Sequence, residues 1–256
     1  MVMSEIGSLE GALAGILARF KPITLEEMDS VELMTRTDTK YFFRADTLKD
    51  ILNRAVKFYR VLEINSSRQF KYSTTYFDTP GFIFYHDHLK GKLNRFKIRQ
   101  RRYEITGKEF FEVKFKTNKG WTVKSRIGND CQDYLNNNTD IFLKTKTPYS
   151  NSQLQKSITN DFIRITLVNN QLTERATLDY CIGFSNHYDS LQFTGLGILE
   201  IKQGSQSKHP VLLQIMKDLK VRPESISKYC LGVASLYPGV KANLLKHHLS
   251  KINNLT

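Results

Sequence analysis

One stretch of the chain places four positive charges on a single face of a predicted β-strand. In RFKIRQRRY, successive side chains point to opposite faces of the sheet, so Arg95, Lys97, Arg99 and Arg101 share one face. The phenylalanine and isoleucine between them point the other way. Like charges at this spacing repel one another, so this face must meet either water, which screens the charges, or a polyanion.

The same alternation recurs along most of the chain. It predicts strands over about 35–43, 70–79, 94–105, 109–117, 121–127, 161–168, 173–180 and 196–203. The further charged residues of these faces are Arg36, Asp38, Lys40, Glu112, Lys114, Lys116, Lys124, Arg126, Arg175, Asp179, Glu200 and Lys202, with Arg164 near the same layer.

A closed sheet gives these charged faces a common place. An open sheet would present one large positive field to solvent, whereas a closed barrel turns the charges around a channel and the apolar faces outward against helices. About eight antiparallel strands close a barrel that holds a ligand. Such an interior is stable only where a polyanion, a metal or water compensates its charge. We therefore predict an α+β protein built on an eight-stranded antiparallel β-barrel with helices packed outside.

Helical signals flank and interrupt the strands. Apolar spacing predicts an amphipathic helix over 8–20 and another over about 46–59, and Thr24 with Glu27 predicts a capping box for a short helix. Pro210 opens a predicted helix to about Leu219, and Ser225 caps one to about Tyr237. We expect a polar excursion over 128–156 and a loose basic helical tail over 239–256. No linker divides the chain, so we expect one domain over 1–256, with N-terminal helices in 1–34.

Composition narrows the partners. The chain has 38 Lys and Arg against 25 Asp and Glu, a net charge of +13, which points to nucleic acid, an acidic membrane surface or polyphosphate. Its three cysteines form no CxxC pair, so we interpret them as reduced thiols of a cytoplasmic protein. The short apolar run 11–18 predicts neither a signal peptide nor a membrane span. No GxxxxGK[ST] loop, GxSxG elbow or kinase signature occurs, which excludes those scaffolds.

The ordered strand motifs resemble the VTC domain, the catalytic domain of the vacuolar transporter chaperone polyphosphate polymerases, within the triphosphate tunnel metalloenzyme or CYTH-like superfamily. The resemblance covers about residues 30–236 and rests on RTDTKYFF (36–43), TTYFDT (74–79), KIRQRRY (97–103), FFEVKFK (110–116), VKSRI (123–127), FIRITL (162–167), RATLD (175–179), ILEIKQ (198–203) and SKYCLG (227–232). It implies an eight-stranded antiparallel tunnel with outer helices. It also implies transfer of the ATP γ-phosphate onto a growing polyphosphate chain, with a divalent metal.

One motif departs from the wider superfamily. Where that superfamily carries ExExK on its first strand, this chain has Arg36, Asp38 and Lys40, so the first acid is absent. This resembles the polymerase branch more than the triphosphatase or adenylate cyclase branches. The polymerase branch holds its metal with a Glu on the last strand, and Glu200 occupies that place. We therefore assign Mn²⁺ or Mg²⁺ to Glu200, since both ions prefer oxygen ligands and share phosphate oxygens.

Phosphoryl transfer requires the phosphates to be held in line and their charge neutralised, which Arg and Lys side chains do. We assign Arg99, Arg101, Lys114 and Lys40 as the catalytic cations on the nucleotide phosphates. The remaining phosphate-binding candidates are Arg36, Arg95, Lys97, Lys116, Lys124, Arg126, Arg164, Arg175, Lys202 and Lys228. Glu112 and Asp179 could orient these cations, and no chemistry is assigned to the six histidines, with His86 and His88 expected in a loop.

The predicted function is an ATP-dependent polyphosphate polymerase, a transferase that binds ATP and polyphosphate. Two alternatives remain open: a metal-dependent triphosphatase of the same fold, and a non-catalytic module that binds polyphosphate or nucleic acid. Nucleic acid is the less favoured ligand, because aromatic side chains do not interleave with the basic faces as stacking platforms. A membrane-associated partner subunit is compatible with the resemblance, although the sequence predicts no span of its own.

Overall fold

The computed structural model of the protein describes residues 2–29, 36–129, 134–204, 210–225 and 227–255. Within these ranges, twelve strands form one sheet. Their bounds are β1 Lys21–Ile23, β2 Arg36–Arg44, β3 Tyr59–Leu62, β4 Phe70–Asp78, β5 Arg95–Tyr103, β6 Glu109–Lys116, β7 Thr122–Gly128, β8 Gln155–Asn169, β9 Glu174–Ser185, β10 Ser190–Phe193, β11 Leu196–Gly204 and β12 Pro223–Glu224. The eight predicted strands correspond to β2, β4–β9 and β11, and the four short strands were not predicted.

The sheet is not the closed eight-stranded barrel that the sequence predicted. Its main path runs β12-β2-β11-β9-β8-β4-β5-β6-β7, with all neighbours on this path antiparallel, while β1, β3 and β10 pair off it. Over the described residues, no hydrogen-bonded ladder joins β7 to β12 or to β2, so both edges stay open. The prediction placed eight strands around a channel correctly but was wrong about closure, because side-chain alternation along a strand does not determine which edges pair.

Eight helices pack around this sheet in the described part of the chain. They are α1 Val2–Leu17, α2 Leu25–Asp29, α3 Leu48–Ala55, α4 Ile83–Leu89, α5 Asn137–Lys146, α6 Val211–Asp218, α7 Lys228–Leu236 and α8 Lys246–Asn253. Short 3₁₀ turns occupy Ala45–Thr47, Asn151–Gln153 and Asn243–Leu245. None of the helices in the described ranges is both long and apolar enough to cross a bilayer.

Local capping signals were predicted with mixed success. The Thr24–Glu27 capping box is confirmed, since each residue's backbone N–H donates to the other's side chain at 2.9 and 3.2 Å. The predicted cap at Ser225 is wrong: the Ser227 side chain accepts from the Cys230 N–H at 3.2 Å and begins α7. Ser227 caps the helix because it lies directly before the first helical residue, and from there its hydroxyl can accept from the third backbone amide of the helix.

Three helical predictions need correction. The helix expected over 46–59 is a 3₁₀ turn followed by the shorter α3, and Tyr59 already begins β3. The loop expected around His86 and His88 is instead α4. The polar excursion predicted over 128–156 does leave the sheet, and its described part contains α5. The tail is not loose, because α8 packs on the domain with Ile252 fully buried.

The outer face of the sheet carries the main core. Apolar side chains that alternate with the charged ones pack there against α1, α3 and α6, among them Tyr41, Ile165, Leu178 and Leu199. A second outer cluster, which includes Phe111 and Val113, is covered by α5. This confirms that the apolar strand faces turn outward onto helices, and it leaves the charged faces on the concave side.

The inner face changes character along the strands. Lys40 is followed on its face by Phe42 of β2, and Arg164 of β8 is preceded on its face by Phe162. Helix α7 packs on the apolar part, in a buried cluster that contains Phe42, Phe162 and Tyr229. The expectation that all helices lie outside is therefore wrong for α7, which covers the apolar end of the concave face and leaves the basic end open.

Candidate functional site

The concave side of the sheet encloses a cavity of about 360 Å³. Eight strands contribute to its wall, together with α4 and the segment that leads into α7. Its charged lining in the described residues is Lys40, Arg95, Lys97, Arg99, Arg101, Lys114, Lys116, Arg164, Lys202 and Lys228 against Asp38, Asp179 and Glu200. Ten cationic side chains against three carboxylates give the cavity a positive field, which suits an anion of high charge.

A first buried carboxylate holds two cations on β5 and β7. Glu112 of β6 is fully buried and accepts from Arg99 through Nε at 2.7 Å and Nη2 at 2.6 Å. Its other oxygen meets Lys124 Nζ. Burial alone would raise the pKa of Glu112, but Arg99, Arg101 and Lys124 outweigh it and lower that pKa to about 2. Glu112 is therefore ionised and fixes the Arg99 guanidinium in one orientation.

A second carboxylate does the same where β8, β9 and α7 meet. Asp179 accepts two hydrogen bonds from Arg164, at 2.6 and 2.7 Å, and one from Lys228 Nζ at 2.7 Å. Lys228 Nζ also lies 3.0 Å from the centre of the Phe162 ring. Burial, and then the nearby Arg164 and Arg101, lower the pKa of Lys228 to about 7, although Asp179 opposes them. The ammonium of Lys228 is thus poised to gain or lose its proton near neutral pH.

A third carboxylate lies between β2 and β11. Lys40 Nζ is 2.8 Å from Glu200 Oε1, and Lys202 Nζ is 3.7 Å from Glu200 Oε2. Burial would raise the pKa of Glu200, but Lys202 and Lys40 lower it well below its usual range. Each of the three carboxylates therefore bridges two cations, an arrangement we call a two-cation clamp.

Between the clamps, cations face one another directly. Lys97 of β5 lies opposite Lys114 of β6, and Lys114 lies opposite Lys124 of β7. Burial lowers the pKa of Lys97 to about 8, and the Arg99 charge, with burial, lowers that of Lys114 well below its usual range. Like charges directly opposite each other destabilise a sheet. The free protein therefore stores repulsion that a bound polyanion would relieve.

The structure brings most of the predicted site residues to this cavity. Three of the four catalytic candidates, Arg99, Arg101 and Lys114, lie on β5 and β6, and Lys40 reaches it from β2. Lys124, Arg126 and Arg175 do not line it. Lys124 contacts Glu112 in the first clamp. Arg126 stacks on Phe110, with its guanidinium carbon 4.6 Å from the ring centre. Arg175 of β9 lies opposite Lys202 of β11 in the strand register. The side chain of Arg36 lies outside the described residues.

Several lining residues were missed from the sequence. His88 lines the cavity from α4, with its Nδ1 buried and without a hydrogen-bond partner among the described residues. Burial, followed by the charges of Lys97, Arg95 and Lys40, lowers the pKa of His88 to about 3, so its ring is neutral. Ser225 and Ser227 also line the cavity. The sequence held no periodic signal for them, because they lie off the alternating strands.

The donor set limits how a metal ion could bind. No group of three or more His, Cys, Asp or Glu side chains converges in the described part of the chain. Glu112 does not line the cavity, and Asp179 is buried with both oxygens held by three hydrogen bonds. Glu200 lines the cavity, is 22% exposed and contacts only flexible lysines among the described residues, and Asp38 lies diagonally across β2 and β11 from it. One or two carboxylates suit Mg²⁺ or Mn²⁺ when phosphate oxygens and water complete the shell. The residues therefore fit a metal whose shell is completed by phosphate oxygens and water, with Glu200 and Asp38 as the carboxylates available in the cavity.

Comparison with known proteins agrees with this geometry. The curated proteins give no match. An adenylate cyclase candidate from Bacillus halodurans is 16% identical with a TM-score of 0.50, covering 80% of this chain and 100% of its own. An adenylyl cyclase candidate from Hippeastrum, described as having a dominant triphosphatase activity, is 14% identical with a TM-score of 0.45, covering 81% and 99%. The likeness to the Bacillus halodurans protein shows that the two chains share a fold.

A model of the VTC domain family matches residues 35–237. That range includes every strand that lines the cavity and all three two-cation clamps. By this match over most of its length, the chain belongs to the VTC domain family.

Proposed function

We propose that this protein is an ATP-dependent polyphosphate polymerase that transfers the γ-phosphate of ATP onto a polyphosphate chain. The observation that carries the proposal is the set of three two-cation clamps around one cation-rich cavity. Membership of the VTC domain family supports the same activity, since that is the activity the family resemblance implies. The site contributes positioning and charge, which is most of what phosphoryl transfer requires of a protein.

The cavity can bind a triphosphate by charge alone. Among the described residues, no carboxylate lies within ion-pair distance of Lys97, Lys114 or Arg101. Burial and neighbouring cations lower the pKa of each of these three side chains. Phosphate oxygens would supply the missing negative charge. Binding of the triphosphate therefore removes repulsion between cations that is already present in the free protein, and this contributes to the affinity.

The clamps orient the groups that act on the transferring phosphate. Arg99 and Arg164 are each held through Nε and a terminal nitrogen by a buried carboxylate, which fixes the plane of the guanidinium. Donors fixed before the reaction stabilise developing charge without reorganisation. We assign these two arginines, with Lys40 and Lys114, to the phosphates that react.

Glu200 would hold the divalent metal. Its carboxylate is ionised, buried in part and close to the cavity. When bound, Mg²⁺ or Mn²⁺ supplies charge neutralisation on the phosphate oxygens. Lys40 and Lys202 would then turn from Glu200 toward the phosphates, because a lysine ammonium is a flexible point charge.

Incubation of the purified protein with ATP and Mn²⁺, followed by gel analysis of the products, tests the proposal. A polymerase produces chains that lengthen with time. A triphosphatase of the same fold releases phosphate without chains, and a binding module does neither while still binding tripolyphosphate. Lys114→Met is expected to lose chain synthesis, whereas Lys246→Met, which removes an exposed charge from α8, serves as the matched control.

A further inference from the structure

The C-terminal helix α8 lies beyond residue 237, where the match to the family ends. It is nevertheless docked on the domain: Leu245 and Ile252 are 5% and 0% exposed within the apolar cluster that also contains α7. Leu249 and Leu255 pack against the same cluster. The helix is therefore an addition to the family domain with its own defined contact.

The polar contact of α8 converges on one carboxylate. Glu224 accepts from Lys251 through Oε1 and lies 3.1 Å from His248 Nε2 through Oε2. The side chain of Glu224 is only 11% exposed, so water screens these contacts weakly. Both partners lie on α8, which places the helix on a single residue of β12.

Glu224 lies next in sequence to a residue that lines the cavity and opposite another in the sheet. In β12 it pairs with Lys40 of β2, the residue that holds Glu200. The chain then passes directly into Ser225 and Ser227, which line the cavity, and Ser227 caps the helix that begins with Lys228. The contact of α8 with Glu224 therefore lies directly before the residues Ser225, Ser227 and Lys228 in the chain.

We propose that α8 is a positioning element of the cavity: it holds Glu224 and thereby sets Ser225, Ser227 and Lys228 for binding a polyphosphate anion. The inference rests on the proposed function only for the identity of that anion. Glu224, His248 and Lys251 are positioning residues, since none of them lines the cavity.

The sign of the effect separates positioning from simple electrostatics. Removal of the Glu224 charge beside the basic cavity makes the electrostatic field of the cavity more positive, which by itself strengthens anion binding. A positioning role predicts the opposite, because the segment that carries Lys228 loses its anchor. Glu224→Gln keeps the shape of the side chain and so tests the sign directly.

Calorimetric titration with inorganic tripolyphosphate is the experiment. The wild type, Glu224→Gln, Lys251→Met, the double variant and Lys246→Met are compared at equal salt, with the thermal midpoint of each recorded. Loss of a hydrogen bond to a charged group is expected to weaken binding by Glu224→Gln and Lys251→Met on the order of tenfold. The double variant should bind no more weakly than Glu224→Gln, because that change already removes the charge that Lys251 contacts. Lys246→Met removes the same charge from α8 without touching Glu224 and should bind like the wild type.

Unchanged or tighter binding by Glu224→Gln, or equal weakening by Lys251→Met and Lys246→Met, would overturn the inference. So would loss of the folded state in both Glu224→Gln and Lys251→Met, since that would show that the helix serves only stability. A wild type that binds tripolyphosphate but makes no polyphosphate refutes the proposed function and leaves the positioning role intact. A wild type that binds neither tripolyphosphate nor ATP overturns both.

Discussion

Replacement of Asp179 by Asn tests whether the two-cation clamps balance charge in the free protein. Asp179 is 3% exposed and receives three hydrogen bonds, two from Arg164 and one from Lys228. Asparagine has nearly the same shape but no charge. The change leaves two buried cations facing Arg101 without their counter-ion, since Arg101 already acts on the pKa of Lys228.

The expected magnitude follows from that burial. Removal of one partner of a buried ion pair costs about 3–5 kcal/mol of folding stability. For a protein of this size, each kcal/mol shifts the thermal midpoint by about 2–4 °C, so a fall of roughly 6–20 °C is expected. Tripolyphosphate supplies the missing negative charge in the same cavity. A saturating concentration should therefore raise the midpoint of Asp179→Asn by more than it raises that of the wild type.

Thermal unfolding with and without tripolyphosphate measures both effects. Asp46→Asn is the control, because Asp46 pairs with Arg44 at 3.2 Å but both side chains are more than half exposed. An exposed pair contributes about 0–1 kcal/mol, so this variant should unfold like the wild type. A fall no larger than that of Asp46→Asn, or a gain from tripolyphosphate no larger than in the wild type, would refute the clamp reasoning.

Three further outcomes are expected. Glu200→Gln should abolish metal-dependent turnover while tripolyphosphate still binds, and wild-type turnover by this variant would remove Glu200 as the metal ligand. Arg99→Lys should lower kcat by a factor on the order of 10² or more, because lysine keeps the charge but lacks the planar guanidinium that donates two hydrogen bonds at once. Lys246→Ala should leave ATP turnover unchanged, and equal turnover rates for the two variants would exclude a catalytic role for Arg99. A bound anion should raise the pKa of Lys228 above its free value of about 7, so binding at pH 8 should take up protons and weaken as pH rises. Titration calorimetry in buffers of different ionisation enthalpy measures that uptake, which Lys228→Met should reduce; the same uptake in both proteins would contradict the assignment.

Periodicity was sufficient to identify the strands and their two faces. Alternation depends only on backbone geometry, so Arg95, Lys97, Arg99 and Arg101 share a face in any sheet that contains β5. The same rule found Lys40, Lys114, Arg164 and Glu200, and all eight line one cavity. It could not find His88 or Ser227, because helix ends and loops carry no period of two.

The sequence could not predict which side chains form ion pairs when they lie on strands far apart in the chain. Glu112 and Asp179 were expected to orient cations, yet which cations they hold depends on the register between β5, β6 and β7 and on the approach of α7. The same long-range packing decided that, over the described residues, no strand closes the sheet at β7, and that α7 covers its apolar inner end. Neither follows from local preference, because each joins residues far apart in the chain.

The sequence by itself therefore determined the chemistry of the surface: alternating strands that concentrate lysine and arginine on one face and apolar side chains on the other. Tertiary structure alone decided the state of those charges. Three carboxylates are brought between pairs of cations. Lys97 and Lys114 are brought opposite each other, where burial lowers the pKa of Lys97 and the Arg99 charge, with burial, lowers that of Lys114. Charge on a side chain is a property of its residue type, but the cost of that charge depends on distance and burial, which only the folded chain sets.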